Sequence, residues 1–281
     1  MRLNRLKNTV CVAGASLLAG LVSSTVPTPS NARDFSLLGQ RTMAFNYDPA
    51  NEVDVELVLA VDISQSMDTE EQEIQRAGYV AAITSKEVLE AVRYGPIGRI
   101  AVTYMEWGGV DEHFTVADWT VIADESSAQA FASRIAEAPL RQVQRTSISS
   151  ALKKSIDLVR NNQYQGLRQV IDISGDGPNN QGGSVTQVRD QLLASGITIN
   201  GLPLMMKANA NAWQAMLNLD QYYEDCVIGG PGSFAIPVKS KEGFADAIRM
   251  KLVMEIAGLS FEQPLVQRVS ARKPIRCSMF D

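Results

Sequence analysis

Histidine and cysteine are scarce in this sequence. Its 281 residues include one histidine, His113, and three cysteines, which lie far apart and form no C-x-x-C pair. A single histidine cannot build a metal site of two or three imidazoles, and it leaves one candidate base for a Ser-His or Cys-His mechanism. The cysteine spacing excludes a zinc ribbon and an iron–sulfur cluster.

Positive charge is not in excess, and long apolar runs are absent. The chain has 26 Lys+Arg against 31 Asp+Glu, a formal net charge of −5, so it offers no positive field to a phosphate backbone. After the N-terminal region, no stretch approaches the roughly 18 uninterrupted apolar residues that a membrane span needs. We therefore expect no nucleic-acid partner and no membrane span in the mature chain. The full sequence is 45% hydrophobic, which is the composition of a globular protein.

The first 32 residues have the layout of a secretory signal peptide. Basic residues occupy the start, an apolar stretch covers residues 9–22, and a small-x-small site ends at Ala32. The apolar stretch is too short to span a bilayer, although an uncleaved anchor remains the alternative. Cleavage would make the protein secreted or periplasmic and leave residues 33–52 as a leader without sustained periodicity.

Two cysteines, Cys226 and Cys277, remain after this cleavage. In an oxidising compartment an even pair predicts one disulfide, and two free thiols are the alternative. The bridge would tie a C-terminal tail, residues 259–281, back to the preceding domain.

Strand and helix patterns alternate between the leader and the tail. The near-continuous apolar run at residues 55–61 is typical of a strand buried on both faces of a parallel sheet. Alternating βαβ units predict right-handed crossovers and helices on both sheet faces, hence a single doubly wound α/β domain over residues 53–258. Further strands are expected at 100–107, 113–122 (an edge strand or hairpin), 169–174, 197–202 and 234–238, with helices at 69–92, 126–138, 148–159, 185–193, 209–219 and 244–256.

Oxygen-bearing side chains follow the first strand in a D-x-S-x-S pattern. Asp62, Ser64 and Ser66 occupy alternate positions, which point the same way in an extended loop. Ligands of open α/β sheets bind beyond the carboxyl ends of the strands, and hard oxygens suit Mg²⁺ or Mn²⁺. The alternative is that these hydroxyls only cap a helix or stabilise a turn.

Two later loops carry matching chemistry. Thr146 places a hydroxyl at a helix start, and Asp176 stands between glycines after the fourth apparent strand. Alone, each has an ordinary explanation, an N-cap for Thr146 and a turn for Asp176. Three loops that supply oxygen ligands in this order favour a metal site.

With these residues in place, the sequence resembles the von Willebrand factor type A (vWA) domain over residues 53–258, and in particular an uncharacterised secreted bacterial branch. The segments at 60–67 and 170–180 carry the likeness. The resemblance implies a doubly wound, Rossmann-type fold and a metal-ion-dependent adhesion site for Mg²⁺ or Mn²⁺. It implies direct ligation by hydroxyls, with the carboxylates acting directly or through water, the set being Asp62, Ser64, Ser66, Thr146 and Asp176.

The same resemblance implies a protein partner whose carboxylate completes the metal shell. One departure concerns ligand type: Arg145 precedes Thr146 where glycine is common in the family, and it either narrows access or lends positive charge toward an acidic ligand. The Asp176 loop also reads Ser-Gly-Asp-Gly rather than Thr-Asp-Gly. The expected partner-binding rim comprises Glu106, Trp107, Arg145, Asn179 and Asn180.

Adhesion of this kind needs no nucleophile or general base, so we do not expect an enzyme. No G-x-S-x-G elbow occurs, the first loop lacks G-x-G-x-x-G, and Ser64 stands where an aspartyl-phosphate phosphatase needs a second aspartate. The alternatives left open are a scaffold domain with a structural or vestigial metal site and a metal-dependent hydrolase.

Overall fold

The fold is organised around β1 (Glu52–Asp62), a strand whose residues are buried almost throughout. The computed structural model describes residues 48–206, 218–259 and 273–281. Successive side chains of β1 pack into two different cores, with Leu57 and Leu59 in one and Val58 and Ala60 in the other. The continuous apolar run of this strand thus covers both faces of the sheet.

In the described part of the chain the sheet has five strands in the order β3-β2-β1-β4-β5. All neighbours pair in parallel except β3, which is antiparallel to β2 at the edge. This confirms the mostly parallel α/β sheet, and the strand order reverses on the two sides of β1. The other strands are β2 (Ile100–Trp107), β3 (His113–Ile122), β4 (Gln165–Gly175) and β5 (Thr198–Pro203).

Helices cover both sheet faces, as the doubly wound fold requires. One core contains side chains of α1, α2, α3 and α7, and the other contains side chains of α4, α5 and α6. The described helices are α1 (Thr69–Ile83), α2 (Lys86–Arg93), α3 (Glu125–Glu137), α4 (Ile148–Arg160), α5 (Val185–Ala194), α6 (Leu219–Tyr222) and α7 (Phe244–Ala257).

Two expected elements differ. The single helix predicted at 69–92 is divided, because Ser85 adopts an extended backbone and caps α2 through the Val88 N–H. The strand predicted at 234–238 is reduced to isolated bridges; Pro237 there has no N–H to donate to a ladder. The helix predicted at 209–219 lies almost wholly outside the described residues.

The disulfide between Cys226 and Cys277 is present, and it holds the end of the chain against the domain. Cys226 lies in a π-helical turn, Tyr223–Val227, that continues α6. Beyond the bridge, the Phe280 ring packs edge-on against Tyr222, with ring centroids 5.0 Å apart. The last residues therefore belong to the packed structure. No helix in the described ranges combines the length and apolar character needed to cross a membrane.

A cluster of charged side chains is buried between β4 and α7. The Lys251 ammonium lies 2.6 Å from an Asp172 oxygen and also pairs with Glu255, and all three residues are almost fully buried. The Asn200 side chain of β5 donates to Glu255 at 3.0 Å. Two carboxylates share one ammonium group. Burial, and then repulsion by the charge of Asp172, raises the pKa of Glu255 to about 7.

This cluster predicts that stability falls as the pH rises. The raised pKa lets folded Glu255 keep a proton that the unfolded chain releases near pH 4.5. The contribution of Glu255 to the free energy of unfolding is therefore fully present below pH 4.5 and is lost as the pH rises through about 7. We expect the free energy of unfolding to fall over this range, and Glu255→Gln to make the fall smaller.

Denaturant unfolding at several pH values in a chelating buffer measures this slope. Glu137→Gln, at the exposed end of α3, is the control for the loss of one carboxylate. Equal slopes for wild type and Glu255→Gln would show that the buried acid does not titrate as inferred.

Candidate metal centre

Three loops meet at the carboxyl edge of β1 and β4, beside the point where the strand order reverses. They are the loop between β1 and α1, the loop between α3 and α4, and the loop between β4 and α5. The middle loop is joined to the first by a bridge between Ser64 and Val143, with the Val143 N–H donating to the Ile63 carbonyl at 3.1 Å. This edge is where open α/β sheets bind ligands.

The D-x-S-x-S residues and Asp176 form one hydrogen-bonded group. The Ser64 N–H donates to Asp62 Oδ1 at 2.7 Å, and the Ser64 and Ser66 hydroxyls lie 2.9 Å apart. The Ser66 hydroxyl donates to Asp176 Oδ1 at 2.6 Å, across 110 positions of sequence. The fold thus brings together the first and third of the predicted loops.

Thr146 joins this group through a shared cleft. Its N–H donates to Asn180 Oδ1 at 2.9 Å, and the Asn180 N–H donates back to the Thr146 carbonyl at 2.8 Å. The cleft has a volume of ≈390 Å³. It is lined by Ser64, Gln65, Ser66, Gln144, Arg145, Thr146, Gly177, Pro178 and Asn180.

The helix-capping explanations do not account for these hydroxyls. Asp68 caps α1 by accepting from the Glu71 N–H at 2.8 Å, and Ser147 caps α4 by accepting from the Ser150 N–H at 3.3 Å. The helix caps are therefore neighbours of Ser66 and Thr146 rather than these residues themselves.

The electrostatics of the group favour a cation. Asp62 is fully buried, and among the described residues its Oδ2 has no hydrogen-bond partner. Burial, and then the negative charge of Asp176, raises the pKa of Asp62 to about 8. A divalent cation at the cleft would offset both the burial and the repulsion.

The donor set fits a hard cation such as Mg²⁺ or Mn²⁺. In the described ranges no three Asp, Glu, His or Cys side chains gather in a group that could hold a metal ion. A cation held here therefore depends on serine and threonine hydroxyls as well as on the two carboxylates. Oxygen ligands of this kind suit Mg²⁺ and exclude metals that select thiolates.

Tyr223 is a neighbour of the site that the sequence pattern did not indicate. Its buried hydroxyl has no hydrogen-bond partner among the described residues, and burial followed by Asp62 raises the pKa of this tyrosine well above its ordinary value. A Cβ added to Gly175 would lie 2.9 Å from Asp62 Oδ2 and 3.0 Å from the Tyr223 hydroxyl. Glycine at position 175 therefore leaves room for the close approach of the backbone, the Asp62 carboxylate and the Tyr223 phenol.

Three of the five predicted rim residues are not on the rim. Glu106, Trp107 and Asn179 are only 2%, 0% and 1% exposed, so the prediction that they contact a partner is wrong. Trp107 belongs to the core beneath α4, and Glu106 forms a buried ion pair with Arg76 of α1. Glu106 and Trp107 are the last two residues of β2, and the sequence around them gave no sign of the partners that bury them.

Asn179 serves as a buried junction between the site and the tail. Its Oδ1 accepts from the Ser149 N–H at 3.2 Å, and its Nδ2 donates to the Phe280 carbonyl at 2.9 Å. Its own N–H donates to the Tyr222 hydroxyl at 3.2 Å. These bonds hold the Asp176 loop against α4, while the other two predicted rim residues, Arg145 and Asn180, are exposed.

Arg145 has an unusual backbone. Its φ is +70°, and among the described residues it is the one non-glycine residue with positive φ. The left-handed conformation costs an L-residue about 1–2 kcal/mol, which explains why glycine suits this position.

Because of this strain, glycine at position 145 should stabilise the protein relative to alanine, which is the opposite of its effect inside a helix. Arg145→Gly should exceed Arg145→Ala in free energy of unfolding by about 1 kcal/mol, since only glycine adopts this φ without a steric cost. Ala130→Gly, at an exposed interior position of α3, should instead destabilise by about 1 kcal/mol. Urea unfolding of the variants measures both differences. An Arg145→Ala variant more stable than Arg145→Gly would contradict the strained conformation.

Comparison with solved structures supports the fold assignment. Proximal thread matrix protein 1 from the mussel byssus matches with a TM-score of 0.50 at 13% identity, covering 73% of this chain and 48% of its own. A von Willebrand factor type A protein from Catenulispora acidiphila matches with a TM-score of 0.50 at 11% identity, covering 73% and 43%. The pilus adhesin SpaC from Lactobacillus rhamnosus GG matches with a TM-score of 0.51 at 13% identity, covering 73% and 31%.

This chain spans less than half the length of each of these structures, and at such identities the likeness concerns the fold. A search of the curated proteins finds no matching sequence. The model of a protein family of unknown function, DUF1194, matches residues 52–260. The chain therefore belongs to the DUF1194 family, and its fold is that of the vWA domain.

Proposed function

We propose that this protein is a metal-dependent protein-binding domain of the adhesion type. The observation that carries the proposal is the hydrogen bond from Ser66 to Asp176, which unites the D-x-S-x-S loop with the Asp176 loop beside a buried carboxylate. Mg²⁺ or Mn²⁺ would be held by Asp62, Ser64, Ser66, Thr146 and Asp176. When bound, the cation supplies a positive centre to which a carboxylate of a protein partner adds.

The residues of the chain divide the work of such a site. Ser64, Ser66 and Thr146 present neutral hydroxyls, so the cation retains more of its charge than it would among several carboxylates. Asp62 orients the Ser64 backbone, and Asp176 orients the Ser66 hydroxyl. The open cleft above the hydroxyls gives a partner access.

We further propose that the protein acts outside the cytoplasm, as a secreted or periplasmic domain. The basic and apolar pattern of residues 1–32 and the Cys226–Cys277 disulfide support this compartment. The leader, the vWA-like domain and the tail would occupy residues 33–52, 53–258 and 259–281. Two of the structures of similar fold are described as a thread matrix protein and a pilus adhesin, which accords with an extracellular binding role.

A scaffold role with a structural or vestigial site is the second candidate. It is favoured by the hydrogen bonds among Ser64, Ser66 and Asp176, which already join two of the loops through protein groups. A metal-dependent hydrolase has less support, because the residues that line the cleft include no histidine and no lysine, and the Asp62 and Asp176 carboxylates would serve the cation rather than act as a general base. Saturable metal binding linked to partner binding distinguishes adhesion from both.

The metal site predicts specific losses on substitution. Titration calorimetry of the mature protein with Mg²⁺ and Mn²⁺ should show saturable binding. Asp62→Asn and Thr146→Val should weaken it by at least about 10–100-fold, since each removes a ligand group with little change of shape. Folding of each variant is checked by circular dichroism and urea unfolding.

Asp68→Asn is the matched control. It exchanges an aspartate of the same loop, and asparagine caps a helix as well as aspartate does, so metal affinity should be unchanged. Wild-type affinity in Asp62→Asn and Thr146→Val would refute the ligand assignment. A folded wild type that binds neither ion would favour the scaffold candidate.

A further inference from the structure

We propose that Arg145 makes the cleft selective for an acidic peptide segment, one carboxylate of which binds the metal while a neighbouring carboxylate pairs with the Arg145 guanidinium. The inference rests on the proposed function and adds the class of partner. Its starting point is that Arg145 is the one charged side chain among the described residues that line the cleft.

The guanidinium of Arg145 is available to a ligand. The residue is exposed, and within the described ranges no hydrogen bond or ion pair uses its side chain. Nearby Arg141 differs, because it faces Glu106 at 3.8 Å and lies over the Phe114 ring. Arg145 thus presents a solvent-exposed fork of N–H donors beside Thr146, and such a fork matches a carboxylate in geometry and charge.

The charges at the site explain why the Arg145 guanidinium matters in addition to the metal ion. The two carboxylates of the site, Asp62 and Asp176, carry together the charge that a divalent cation neutralises. Once one partner carboxylate has added to the cation, the occupied site is net negative, so a second carboxylate at its edge gains no attraction without Arg145. With Arg145 the edge of the cleft is positive. Three other side chains that line the cleft, Gln65, Gln144 and Asn180, are neutral amides that do not repel an acidic segment.

The size of the cleft also accommodates two acidic side chains. Its volume of ≈390 Å³ lies within the range of pockets that enclose small ligands, well above the need of one carboxylate. The backbone of Arg145 holds a conformation that favours glycine, and strain of this kind is characteristically retained at functional sites. The side chain at this position is therefore the feature that requires an explanation, and ligand recognition supplies one.

The test compares two capped Gly-Ser peptides at saturating Mg²⁺, one with two adjacent glutamates and one with a Glu-Gln pair. Wild type should bind the two-glutamate peptide about fivefold more tightly, a preference that declines at high salt as an exposed ion pair is screened. Arg145→Gln and Arg145→Gly should reduce the preference to the statistical advantage of a peptide that carries two glutamates, and Arg145→Lys should keep part of the remainder.

Arg160→Gln, on the exposed end of α4, is the control for the loss of one positive charge and should retain the full preference. Mg²⁺ affinity, titrated without peptide, should be kept in the Arg145 variants. A wild type that binds Mg²⁺ but not the peptides, or both peptides equally, overturns this inference alone, as does a preference that is undiminished in Arg145→Gln. Loss of Mg²⁺ binding in both Arg145→Gln and Arg145→Gly would show that Arg145 supports the metal loops instead. Failure of the wild type to bind Mg²⁺ removes the proposed function and this inference with it.

Discussion

The burial of β1 on both faces is the constraint from which the rest of the structure follows. A strand enclosed by β2 and β4 and by two cores accepts a charged side chain only where polar groups satisfy it, as N–H donors satisfy the buried carboxylates of Asp54 and Glu56. Asp62 stands at the end of this strand, where polar groups from two more loops can reach it. The same low-dielectric interior that raises the pKa of Asp62 makes a neutralising cation favourable at that edge.

The periodicity of the sequence predicts the strands and helices because each element places its buried side chains at regular intervals along the chain. Apolar runs indicated the central strands, and the D-x-S-x-S pattern predicted that Asp62, Ser64 and Ser66 lie together after β1, where the structure has them. The division of α1 from α2 was missed because one capping side chain, Ser85, outweighs an apolar stripe that continues past it. Cysteine parity gave the disulfide without any knowledge of distance.

The rim could not be predicted in the same way, because burial of a loop residue depends on partners that are distant in sequence. Glu106 is enclosed by Arg76, thirty positions away, and Asn179 by Phe280, about a hundred positions away. Glu106 links β2 to α1, and Asn179 links the Asp176 loop to α4 and to the tail. Since the tail is held by Cys226–Cys277, the disulfide, Asn179 and α4 form one continuous support for the Asp176 loop.

Hydrogen bonds on both sides of Arg145 explain how its strained backbone is tolerated at the cleft. The loop before α4 is fixed on both sides of Arg145: Gln142 donates to the Met67 carbonyl at 2.7 Å, and the Ser147 N–H donates to the Gly108 carbonyl at 2.7 Å. A backbone held at so many points keeps its φ whichever side chain it carries. The hydroxyls proposed as metal ligands are therefore independent of the residue at position 145, and the charge beside the cleft can change without any change in the groups that would hold the metal.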